Sequence, residues 1–108
     1  MSISAVMNNA VSGMQAQTQR VSATAANIAN ALTPGYNRLA SDLTTLPSGS
    51  VRASVSPSTN ATFADGSNVD LGTEMLDMIG AKIEFQANAS AFEAGADMWD
   101  MLLSIKRD

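Results

Sequence analysis

"ANIANALTPGYNR", residues 26–38, decides how the chain folds. Ala26 to Leu32 reads as the last turns of a helix. Thr33-Pro34-Gly35 then forbids that helix from continuing, because proline lacks an N–H and drives the preceding residue out of the α region. Pro-Gly also fits the central pair of a type II turn, where glycine accepts a positive φ. Working back from this stop, residues 3–32 read as one helix. Met7, Met14, Val21 and Ile28 recur every seven residues, and Val11, Thr18, Ala25 and Leu32 follow each by four. The alternate heptad positions Ala10, Gln17, Thr24 and Ala31 are small or polar. Ser2 or Ser4 caps the start. Asn27 and Asn30 are poor interior helix formers, so two within one turn point to hydrogen bonds with another segment.

Working forward, residues 70–106 read as a second, longer helix. Leu71, Met75, Met78, Lys82, Phe85, Ala89, Phe92, Ala96, Trp99 and Leu103 alternate steps of four and three. Asn68 or Asp70 caps it. Glu74 and Asp77 suit its positive N-terminal end, and Lys106 and Arg107 suit the opposite end. A further apolar set, Leu76, Ile79, Ile83 and Leu102, is too much for one neighbouring helix to cover. Between the helices the chain is rich in Ser, Thr, Gly and Pro. Pro47-Ser48-Gly49 and Asp65-Gly66 read as turns, and Val51, Ala53 and Val55 alternate as a short strand would. So little apolar content predicts a mobile excursion.

The expected fold class is all-α: an antiparallel two-helix hairpin or coiled coil, with a mostly irregular middle that has room for a short strand or hairpin. The expected divisions are 1–38 for the first helix and its stop, 39–69 for a flexible insert, and 70–108 for the second helix.

Composition narrows the function. The 108 residues include no cysteine and no histidine, which removes disulfides, thiolate metal sites and the commonest general base. The net charge of −4 argues against a nucleic-acid binder. No apolar run approaches a membrane span, and no basic region followed by an apolar run marks a cleavable signal. Asn60 and Asn88 open Asn-x-Ser/Thr triplets, read as chance in a chain without such a signal. Asp97 and Asp100 stand three apart on a helix, but no nucleophile–base pair, phosphate-cradling loop or metal spacing accompanies them. No enzyme, cofactor or metal site is expected. Residues 1–37 carry one charged side chain, Arg20, whose alternatives are a solvated charge or a partner acid on the second helix or a neighbouring subunit.

Both ends of the chain resemble the bacterial flagellar rod, hook and axial protein family. At the N-terminal end the matching residues are Ser12-Gly13-Met14, Gln19-Arg20-Val21 and the run from Asn27 through Asn30, Thr33, Pro34 and Gly35 to Tyr36. At the C-terminal end they are Asn68-Val69-Asp70-Leu71, Glu74-Met75, Met78-Ile79, Phe85-Gln86-Ala87-Asn88-Ala89, Ala96-Asp97-Met98 and Leu102 to Arg107. Ala26, Leu32 and Gly72-Thr73 depart from the usual pattern. The resemblance implies terminal helices that pair antiparallel and pack, copy beside copy, into the wall of a helical tube. It implies a short, proximal-rod-like subunit of the periplasm-spanning basal-body rod, exported by the flagellar type III apparatus without a cleaved signal. Its implied partners are other rod or axial subunits, further copies of itself, and the export apparatus or a chaperone. Its implied assembly seam is Met7, Met14, Val21, Asn27, Ile28, Asn30, Leu32, Leu71, Met75, Met78, Phe85, Asn88, Phe92, Trp99 and Leu103, with Thr33, Pro34, Gly35 and Tyr36 as the turn. A tube wall also accounts for the uncharged first helix, since buried Ser, Thr, Asn and Gln can be satisfied by hydrogen bonds where lone charges cannot. The rival reading is a rod-like paralogue that does not polymerise and acts as an assembly partner. A membrane-surface helix is the weakest reading, because the basic face it needs is missing.

Overall fold

A computed structural model describes residues 2–107; Met1, Asp108 and the side chain of Arg107 lie outside it. The element order is α1 (Ile3–Ala29), β1 (Leu39–Thr45), β2 (Val51–Pro57) and α2 (Leu71–Arg107). The all-α expectation is thereby corrected. The middle segment is an antiparallel hairpin of two seven-residue strands.

Its sequence alternates more than its composition suggests. Leu39, Ser41, Leu43 and Thr45 share one face of β1 and lie opposite Pro57, Val55, Ala53 and Val51. That face turns to α1, and Ala53 is buried there. The other face carries Asp42, Thr44, Arg52, Ser54 and Ser56. The reversal falls where Pro47-Ser48-Gly49 stands. Gly49 takes a φ of 88° and its N–H donates to Leu46 O, while Leu46 N–H donates to Ser50 O. The hairpin runs back along α1, with Leu39 beside Asn27 at one end and Val51 N–H bonded to Ser12 Oγ (3.0 Å) at the other.

Ser2 caps α1, its Oγ accepting from Ala5 N–H at 3.1 Å. The helix ends at Ala29, three residues short of the expected Leu32. Asn30 Nδ2 bonds back to Ala26 O, and Thr33 Oγ1 donates to Asn30 Oδ1. Tyr36 N–H then bonds Thr33 O, with Gly35 at φ 76°, which is the type II turn that Pro-Gly favours. At the start of α2, Asp70 Oδ1 accepts from Gly72 and Thr73 N–H.

The helices are antiparallel. Descending α1, Asn27 meets Glu74, Arg20 lies against Gly80, Gly13 against Asn88, and Met7 against Gly95. Each step is six to eight residues on both helices, about two turns, so the pair stays in contact along the length of α1. The buried line on α1 is Ala10, Gly13, Gln17, Thr24 and Asn27, and on α2 it is Glu74, Ala81 and Gly95. Small side chains bring the backbones close. A Cβ on Gly13 would meet the Asn88 carboxamide, and one on Gly95 would meet Met7 Cγ, both at under 3 Å. Continued in the same register, Trp99 lies level with Ile3, so the last two turns of α2 extend beyond α1. The molecule is accordingly long and thin, 70 × 24 × 13 Å. Among the described residues no helix is long and apolar enough to cross a membrane.

Candidate functional site

Two surfaces stand out, a saturated polar node at one end of the helix pair and an uncovered apolar stretch at the other. The node is built by the opening motif. Asn27 is 1% exposed. Its Oδ1 accepts from Leu39 N–H (2.7 Å) and Tyr36 Oη–H (2.9 Å). Its Nδ2 donates to Leu39 O (2.8 Å) and Glu74 Oε2 (3.2 Å). Glu74 is fully buried, and its Oε1 accepts from Arg38 Nε at 2.8 Å. A buried carboxylate is tolerated only when paired and hydrogen-bonded. Arg38 supplies the opposite charge and Asn27 the second donor.

A neighbouring set of bonds ties in the 58–69 segment. Asn68 Oδ1 accepts from Arg38 N–H at 2.7 Å, and its Nδ2 donates to Asn37 Oδ1 at 2.8 Å. Asn37 in turn exchanges bonds with Ser58. Gly35 N–H is shared between Phe63 O and Gly66 O, and Ser67 Oγ–H donates to Ala31 O. The end of α1, the turn, the hairpin and the start of α2 are thus fixed to one another by polar contacts. Further down, Arg20 bonds Glu84 (3.0 Å) and Asp77 (3.5 Å) across the helix pair, which resolves its alternatives in favour of acids on the second helix.

The sequence-predicted residues divide between several places. Asn27 and Tyr36 meet in the node. Asn30 and Thr33 end the helix, while Pro34 and Gly35 are exposed at the turn. Asn88 packs against Gly13. Met7, Met14, Val21, Ile28, Met78 and Phe92 are half-buried along the flanks of the helix contact, not on its buried line. Val21, Met78 and Phe85 come together around an apolar groove of about 500 Å³. Leu71, Met75, Trp99 and Leu103 are exposed, and Leu32 is 92% exposed. At the far end of α2, Met98, Trp99, Met101, Leu102, Leu103 and Ile105 are all exposed.

Sequence reasoning missed Arg38, Glu74 as a buried partner, and Asn68 as a hub. It also missed that Gly13 and the small heptad positions form the close contact. The signal was present in Ala10, Gln17 and Thr24, whose small or polar character at seven-residue spacing suits close backbones better than a solvated face.

Two family profiles match the chain. Residues 7–37 match "Flagella basal body rod protein", and residues 61–105 match "Flagellar basal body rod FlgEFG protein C-terminal". The chain belongs to the flagellar basal-body rod and hook family. Neither profile covers the hairpin; between them they cover most of both helices and, of the node, Asn27, Tyr36 and Glu74 but not Arg38 or Leu39. No individual curated protein matches the chain significantly. Membership in this rod family indicates a structural role in the flagellar basal body, in association with other rod components.

Proposed function

We propose that the chain is a structural subunit of the rod itself, exported by the flagellar type III apparatus and polymerising with other axial subunits through its two terminal helices. The observation that carries this reading is the far end of α2. Six large apolar side chains between Met98 and Ile105 are exposed at and beyond the point where α1 ends. A contiguous apolar surface on a helix is characteristic of a contact with another chain. The half-buried flank of Met7, Met14, Val21 and Ile28 and the groove beside Phe85 extend that surface along the pair. The polar node gives each copy a fixed turn from which the hairpin is held against α1.

Deletion of the gene in a motile host, followed by imaging of purified basal bodies, tests it. Missing or truncated rods with loss of swimming are expected. Intact rods and normal swimming would make the chain a non-polymerising paralogue instead.

A further inference from the structure

The hairpin leaves one strand edge open, and that edge lines a slot. The backbone rungs between β1 and β2 fall on the even residues of β1, because Arg38 O and Leu46 N–H on either side bond Ser58 and Ser50. The odd residues direct their N–H and C=O groups away from β2. At Leu39 both of these groups are taken by the Asn27 carboxamide, which pairs there as a neighbouring peptide unit would. The next outward groups, on Ser41, Leu43 and Thr45, are bonded by no other segment among the described residues.

These groups open into two adjoining cavities that run the length of β1. One, of about 450 Å³, is lined by residues 38–43 with Thr24 and Arg20 below and Asp77 opposite. The other, of about 430 Å³, is lined by Leu43 and Thr45 with Gln17 and Gly13 below and Glu84, Ala87 and Asn88 opposite. The floor is therefore one row of α1, and the far wall is one side of α2. Among the described residues no Cα of α2 comes within 8 Å of either strand.

The geometry points to a third, extended strand from a partner chain lying in this slot and pairing with the free edge of β1. Because α2 closes the far side, the slot admits a lone segment and not the edge of a second folded sheet. The charges on its floor and far wall are already committed, Arg20 to Glu84 and Asp77 and Arg38 to Glu74, and the remaining carboxylate, Asp42, belongs to the other face of the hairpin. A charged strand would enter unpaired, which is costly away from water. Its floor is Gly13, Gln17, Arg20 and Thr24, which leaves room for small or β-branched side chains. The occupant is accordingly an uncharged, Ser/Thr/Val-rich extended segment, bound through main-chain hydrogen bonds as in other strand additions. This inference goes beyond the helix-mediated assembly above and does not depend on it.

The test is amide hydrogen exchange on the full chain with a blocked peptide of alternating Thr and Val, as long as β1. The control peptide is identical but N-methylated at every residue, so neither of its edges can pair. With the pairing peptide, Ser41 and Leu43 amides should slow by about tenfold or more, while the Leu39 amide, already bonded, changes little. The Ser41→Pro variant removes only an outward N–H, a tolerated change on a strand edge, and should abolish binding while the Ala40 and Asp42 amides stay protected. No slowing at Ser41 and Leu43, equal slowing by the N-methylated peptide, or binding retained in Ser41→Pro would overturn the proposal. Should that variant lose the hairpin, the two-peptide comparison decides. Concentration-dependent slowing without any peptide would assign the slot to a second copy and overturn the choice of partner.

Discussion

The two ends of the helix pair are held by opposite chemistry. Around Asn27 and Glu74 every buried polar side-chain atom among the described residues has a hydrogen-bond partner, and little apolar area is involved. Around Trp99 and Leu102 almost nothing is buried and nearly every large side chain is apolar. Directional bonds fix one geometry and need no other chain. Apolar surface is non-directional and lowers its free energy by whatever covers it. One end therefore defines the shape of the chain, and the other is the surface that the proposed function assigns to neighbouring subunits.

Substitutions at each end should separate these roles. The largest effect belongs to Arg38→Ala, which leaves the Glu74 carboxylate buried without its opposite charge. Breaking a buried pair from one side costs about 3–5 kcal/mol, to be read as a lower denaturant midpoint by circular dichroism. Asn27→Ala comes next. It leaves the Leu39 N–H and C=O unanswered and should cost about 1–3 kcal/mol, with faster exchange of the Leu39 amide as its local sign. Gly13→Leu tests the close approach midway along the pair. The added side chain must displace Asn88, and overpacking of this kind costs about 1–3 kcal/mol. Gly13→Ala should be much milder, since the Asn88 carboxamide can swing aside and alanine restores about 1 kcal/mol of helix propensity. The smallest stability effect is expected for Trp99→Ser with Leu103→Ser, within about 0.5 kcal/mol because both side chains are exposed. The same double variant should nevertheless abolish rod assembly in basal-body preparations. A marked loss of monomer stability from it would erase the contrast between the ends.

The sequence made the helices legible and the hairpin only faintly so. The Thr-Pro-Gly stop placed the end of α1 within three residues, because proline chemistry is local. The extent of α2 followed from its long apolar period. The hairpin was harder. β1 is LASDLTT, with a single apolar alternation and a central Asp42, and by propensity alone it resembles a loop. It forms a strand because its inner face lies on α1 and its partner supplies Val51, Ala53 and Val55, a long-range cause that no local window contains. The node was half visible. Two asparagines in one helical turn marked a polar contact, but nothing in the sequence linked Arg38 to Glu74, thirty-six residues on. The helix contact was also misplaced by one face. Large side chains draw attention to Met14 and Val21, which flank the contact, whereas the helices approach most closely at Gly13 beside Asn88 and at Gly95 beside Met7, where a glycine leaves little between them.

The most direct test of the central claim is amide hydrogen exchange along α2, in the dilute chain and in assembled rods. In the dilute chain, protection should be high from Glu74 to Gly95 and low from Met98 to Ile105, and assembly should raise the second stretch to match the first. Uniformly high protection along α2 in the dilute chain, unchanged on assembly, would contradict the account.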